Sequence, residues 1–165
     1  EGFVAAIRVG DLEDARLIAK KLRDHRRILC ASPAYIKKHG MPETPQDLIK
    51  HNCLRSSGLA SFPQWRLHGG NEFQAVSPKG SLTANDSESL LAAARADAGI
   101  LGAGDWLMSR DIAAGRLLHV LPEWQLDTAG GVYLVRPSAK FPGAVVVAFK
   151  QWIESKFIPE PPWAI

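Results

Sequence analysis

Two cysteines are all that the 165-residue sequence contains, and neither stands in a metal-ligand spacing. No CxxC and no HxxxH occurs, so a metal site would have to draw on scattered residues. The expectation is no metal and no cofactor, with Cys30 and Cys53 as buried free thiols of a reducing compartment. No apolar run approaches the ~18 residues of a membrane span. No basic segment followed by an apolar stretch opens these residues. Repeats and low-complexity tracts are missing. Neither sign of charge dominates: 20 Lys and Arg stand against 17 Asp and Glu, a formal +3 too dispersed to imply nucleic acid. The one concentration is Lys20, Lys21, Arg23, Arg26 and Arg27, and without interleaved aromatics it reads as a solvated surface.

What remains is a folded α/β pattern, 46% apolar. Short β-rich runs at Phe3–Val9, Ile28–Ala31, Phe73–Val76, Leu117–Leu121 and Val132–Val135 are bounded by Gly, Pro or Asp, as strands are. Helix starts lie between them. Ser32 before Pro33 is an N-cap followed by proline at the first helical position, and Gly40 supplies the stop. Thr44 with Asp47 repeats the device. In "NDSESLLAAARADAG", Asn85 is expected to cap, Leu90, Leu91 and Ala94 to form the buried face, and Gly99 to end the run. Asp105 is expected to cap a helix reaching Ala114. A last helix, Pro142 to Phe157, would place Val145, Phe149, Trp152 and Ile153 on one stripe. Arg55 to Gln64 reads as a polar loop, and the five tryptophans read as packing residues.

"LCASPAYIKKHG" holds the one arrangement that suggests a nucleophile, Cys30 and Ser32 with histidines downstream. The G-x-S-x-G elbow of an α/β hydrolase is missing, and Pro33 removes a backbone N–H that an oxyanion hole would use. Capping already accounts for Ser32 and burial for Cys30. The histidines sit among charged or turn residues, where solvent exposure is the plain expectation. No catalytic residue is assigned. "GILGAGDW" lacks the G-x-G-x-x-G spacing of a dinucleotide turn, and Asp11, Glu13 and Asp14 lack the ligand pattern of a calcium loop.

"RRILCASPAYIKKHGMPETPQDLIKHNCL" resembles the middle of the effector-binding domain of LysR-type transcriptional regulators. "AAIRVGDL", "GSLTANDSESLLAAARADAGI", "GRLLHVLPEW", "YLVRPSAKFPGAVVVAFKQWI" and the terminal "EPPW" follow the family's order, over essentially Phe3 to Trp163.

The resemblance implies an α/β, two-lobed fold like the periplasmic solute-binding proteins, with two crossover strands and a small effector in the cleft. Residues 1–31 and 138–165 would form an incomplete first lobe and residues 32–137 the second, with hinges at Ala31 and Arg136. The family's winged helix-turn-helix is missing from these residues, so DNA would be a partner only through another part of the regulator. Gly104 stands where the family usually has proline, which loosens that loop. The implied function is a cytoplasmic, non-enzymatic sensor, a homodimer or larger, with RNA polymerase a candidate partner of the full-length protein and no membrane contact. Its effector would be a small organic anion touching some of Arg8, Ser32, Asn85, Gly102, Ala103 and Gly104. The alternative is a solute-binding protein of a transporter, which shares the architecture.

Overall fold

A computed structural model describes residues 5–10, 17–59, 61–126, 130–137, 143–158 and 160–163. In chain order the strands are β1 (Ala6–Gly10), β2 (Leu17–Asp24), β3 (Arg27–Ala31), β4 (Cys53–Ser56), β5 (Trp65–Gly69), β6 (Glu72–Val76), β7 (Thr83–Ala84), β8 (Ile100–Gly104), β9 (Leu118–Val120), β10 (Gln125–Leu126) and β11 (Gly131–Pro137). The helices are α1 (Pro33–His39), α2 (Ser87–Arg95), α3 (Asp105–Ala113) and α4 (Ala144–Ser155), with a 3-10 turn over Pro45–Lys50. The acidic turn at Asp11, Glu13 and Asp14 lies outside the described residues, as does Pro142. The chain divides into two units, Glu1–His25 with Thr128–Ala164 and, apart from the last residue, Arg26–Asp127.

The first unit contains a three-stranded antiparallel sheet in the order β1-β11-β2, and α4 belongs to the same unit. Arg136 pairs with Ile18 inside this sheet, and Ala31 lies inside the sheet of the second unit. The hinges expected at these two residues are therefore displaced. Each strand pairs along its whole length within one unit, so the chain passes between units at His25–Arg26 and Asp127–Thr128. β2 was not expected as a strand, because its lysines fall on both faces and hide the alternation that marks one. The stripe expected on α4 is also turned. Val146, Phe149 and Ile153 are half-buried, whereas Val145 and Trp152 are 76% and 56% exposed. Three consecutive valines leave the inward one undetermined by periodicity alone.

In the second unit the sheet runs β6-β5-β10-β3-β8-β4-β7, with β9 beside β3. β4 and β7, and β4 and β8, are parallel, while β3 runs antiparallel to β8. One face packs Leu29, Leu48, Trp65, Leu67, Val120 and Leu126. The other packs Ile28, Cys30, Leu54, Leu101 and Met108 with Leu90, Leu91 and Ala94 of α2, the helical face read from the sequence. Ser32 caps α1 by accepting a hydrogen bond from the Tyr35 N–H at 3.0 Å, and Gly40 ends it at φ 85°. Asp47 accepts from the N–H and the hydroxyl of Thr44, at 3.0 and 2.9 Å.

Two expected caps move by one residue. Asp86, not Asn85, caps α2, accepting from the N–H groups of Ser89 and Glu88 at 2.9 and 3.3 Å. Asp105 is the first residue of α3 and Gly104 occupies the cap position. Of the tryptophans only Trp65 is fully buried; Trp106 is exposed, as is Trp152.

Candidate functional site

Parallel strands end on one side of a sheet, and ligands of open α/β folds bind outside those carboxyl ends. In the second unit this side is set by β4 and β8, which run together with Cys53 beside Ile100 and Leu54 beside Leu101. β7 joins them with Ala84 beside Ser56, and the Ser57 N–H donates to the Ala84 carbonyl at 3.0 Å. Asn85, the start of α2, Gly104, the start of α3 and Arg27 at the start of β3 therefore share this end. Burial lowers the pKa of the Arg27 guanidinium.

Arg55, the third residue of β4, belongs to the same end and was missed when its segment was read as a loop. Its Nε is buried without a hydrogen-bond partner among the described residues, and its guanidinium lies 5.8 Å from the centre of the Phe62 ring. A charge set directly after the buried pair Cys53-Leu54 was the available signal. Arg26 and Asp105 pair at 3.0 Å, and the Asp105 N–H donates to the Arg26 carbonyl at 3.0 Å.

Ser32 does not join this group. It follows the last residue of β3, whose Cys30 pairs with Leu101, so it stands beyond the amino end of β8, ~15 Å along the strand from Gly104. Its hydroxyl is occupied by the cap, and the residue is only 3% exposed. The expectation that Ser32 and Asn85 direct two helix starts to one place is corrected by the antiparallel register. Gly102 also changes role. A side chain there would collide with Leu126 and crowd Leu29, so Gly102 exists to admit core packing and leaves no room for a ring. Ala103 is buried in the opposite core layer. Gly104 keeps its position at the open end of the strand. Arg8, in β1 opposite Tyr133, belongs to the first unit.

The nucleophile candidates are inert. Cys30 and Cys53 are fully buried, and burial pushes both thiols up to about 12, the opposite of thiolate activation. Cys30 lies against the Met108 sulfur. Three histidines correct the expectation of general exposure: His25 is buried, and His51 and His119 are half-buried. His51 sits against Tyr35, its Nδ1 3.2 Å from the phenol oxygen, with its pKa lowered chiefly by burial. Among the described residues no three His, Cys, Asp or Glu side chains gather as metal ligands, and no helix is long and apolar enough to cross a membrane.

Comparison with known proteins places this arrangement in a family. The chain belongs to the LysR substrate binding domain family, which it matches over residues 4–157. It is 31% identical over 158 residues to the HTH-type transcriptional regulator PtxR of Pseudomonas aeruginosa, covering 94% of this chain and 50% of that protein. To the HTH-type transcriptional regulator CrgA of Neisseria meningitidis serogroup B it is 36% identical over 124 residues, covering 74% and 40%. The regulatory domain of AphB from Vibrio vulnificus superposes with a TM-score of 0.79 at 26% identity, covering 94% of this chain and 75% of that one. The CrgA regulatory domain superposes with a TM-score of 0.76 at 27% identity, covering 93% and 74%. The chain thus spans about half or less of the length of these two curated relatives. It is an effector-binding domain of the LysR type with the α/β, periplasmic-binding-protein-like fold of such domains, and not an enzyme. The transporter solute-binding alternative is set aside by the same family match.

Proposed function

We propose that this domain senses a small organic anion and, as part of a longer cytoplasmic LysR-type regulator, transmits its binding to DNA recognition and transcription. The observation that carries the reading is the end of β4 and β8, where Arg55 holds a buried guanidinium nitrogen with no hydrogen-bond partner among the described residues. Arginine offers five donors in a plane that matches a carboxylate. Asn85 supplies a neutral donor at the same end, and the start of α3 adds a favourable field for negative charge. Phe62 beside Arg55 offers an apolar surface, which favours an effector with a flat or branched body over a bare inorganic ion. A homodimer or larger assembly, and contact with RNA polymerase, belong to the proposal for the whole regulator. Binding shifts the population between conformations by the difference in effector affinity for each.

A thermal-shift screen of aromatic and aliphatic carboxylates on the complete regulator tests this, repeated with Arg55→Met, Asn85→Ala and Ser32→Ala. The best carboxylate should stabilise the wild type and lose about tenfold or more in affinity in Arg55→Met, the worth of one charge-assisted contact. Ser32→Ala should bind as the wild type does. Full affinity in both Arg55→Met and Asn85→Ala would remove this site.

A further inference from the structure

β3 has two partners along one edge, and they are not continuous. β9 pairs with Leu29, Cys30 and Ala31, and β10 pairs with Arg27, so Ile28 falls between Val120 and Leu126. The chain from Leu121 to Trp124 must leave the sheet and return within that gap. It does so through Leu121 at φ 50°, in the left-handed region that a leucine rarely adopts, followed by a turn in which the Trp124 N–H donates to the Leu121 carbonyl at 2.9 Å. The excursion leaves a cavity of about 240 Å³ in the second unit, lined by Arg26, Ile28, Ile112, His119, Pro122 and Gln125. Its lining does not include Arg55, Asn85 or Gly104.

We infer that this cavity is a second ligand site, for a small neutral molecule with an apolar ring and one hydroxyl group, a phenol in chemical class. Ile28, Ile112 and Pro122 give the apolar walls. The volume is below the roughly 300 Å³ at which drug-sized pockets begin, which limits the occupant to about one ring. His119 lines the cavity, and its Nε2 is buried without a hydrogen-bond partner among the described residues, a costly state that a ligand hydroxyl relieves. A turn about χ2 presents either ring nitrogen. Arg26 retains donors after its Nε is taken by Asp105, and Gln125 is exposed at the rim. Asp105 already balances the charge of Arg26, so a carboxylate would be desolvated in the cavity with no net opposite charge to offset the loss. A phenol donates to imidazole and accepts from guanidinium with no charge to bury.

The probe is 4-fluorophenol, with binding to the full-length regulator read by fluorine NMR and 4-fluorobenzoate as the charged counterpart. Saturable binding at about millimolar Kd is expected, weaker for 4-fluorobenzoate. Ile112→Trp, which fills the cavity, and Gln125→Glu, which sets a carboxylate at its exposed rim, should each weaken 4-fluorophenol about tenfold or more. Arg55→Met should leave it unchanged. If Ile112→Trp lowers the melting temperature, Gln125→Glu alone decides. No saturable binding, undiminished binding in Gln125→Glu, or a preference for 4-fluorobenzoate overturns the inference. Loss of 4-fluorophenol only in Arg55→Met would overturn it too, and would place the molecule in the effector site proposed above.

Discussion

At the scale of single residues, burial decides which reactive groups take part in chemistry and which hold the fold. Cys30 and Cys53 are fully buried, with thiols pushed up to about 12. Iodoacetamide at pH 7.5 should leave both unmodified in the native protein and label both after denaturation, as intact mass reports; native labelling of either would contradict the burial. Asp111, fully buried in α3, is gripped by Arg95 and Arg116, each at 2.6 Å, and the Arg95 guanidinium above all holds its carboxyl below the ordinary 3.8. Both arginines are about half exposed, at 45% and 58%. Freed of Asp111 they rehydrate, so Asp111→Asn should cost about 1–3 kcal/mol rather than the ~3–5 of breaking a sealed buried pair. A carboxylate with a depressed native pKa stabilises fully above its unfolded value and loses that contribution as pH falls through the native one. The melting-temperature gap between wild type and Asp111→Asn should therefore stay constant from neutral pH down to about 4 and close only below it. A gap that closed already near pH 6 would mean that another group, not Asp111, is titrating.

At the scale of elements, what was legible in the sequence depended on whether a local signal was strong enough to need no tertiary partner. The caps at Ser32 and Thr44, the stop at Gly40 and the buried face of α2 follow from neighbouring residues alone and stand in the structure. Asn85 and Asp86 are both good caps and adjacent, so only the backbone chooses between them. It chose Asp86, whose carboxylate reaches two N–H groups. Asp86→Ala should lower the melting temperature by roughly 2–4 °C, while Asn85→Ala should leave it within error; the reverse order would restore the cap read from the sequence. β2 and β4 were hidden for different reasons, β2 by charge on both faces and β4 by brevity against a polar loop. Gly99 shows the opposite limit. It was read as a helix stop, yet a side chain there would strike the backbone carbonyl of Asn52. Backbone cannot give way as a leucine tip can, so Gly99→Ala should cost about 1–3 kcal/mol by thermal unfolding, the range of core overpacking. An unchanged melting temperature would show that β4 and β8 have room to separate.

At the scale of the whole molecule, family order was legible from motifs spread over the chain, because strands and helix starts repeat in a fixed succession. The family match over residues 4–157 bears this out. The site was less legible. Its key residue, Arg55, and the separation of Ser32 from Asn85 both depend on strand direction, and direction is a property of pairing that no local pattern contains. Charge offers this chain little purchase on DNA by itself. Its +3 is dispersed, so the 165 residues alone should not retard any promoter fragment specifically at physiological salt; a gel shift that survives such salt would contradict this. The central claim is that an organic anion is held at the carboxyl end of β4 and β8. A crystal structure of the complete regulatory domain grown with the best carboxylate from the screen tests it most directly. The expected result is a carboxylate within hydrogen-bonding distance of the Arg55 guanidinium, with the Asn85 side chain as a further donor. A carboxylate bound beside Ser32 at the other end of the sheet, with Arg55 untouched, would contradict it.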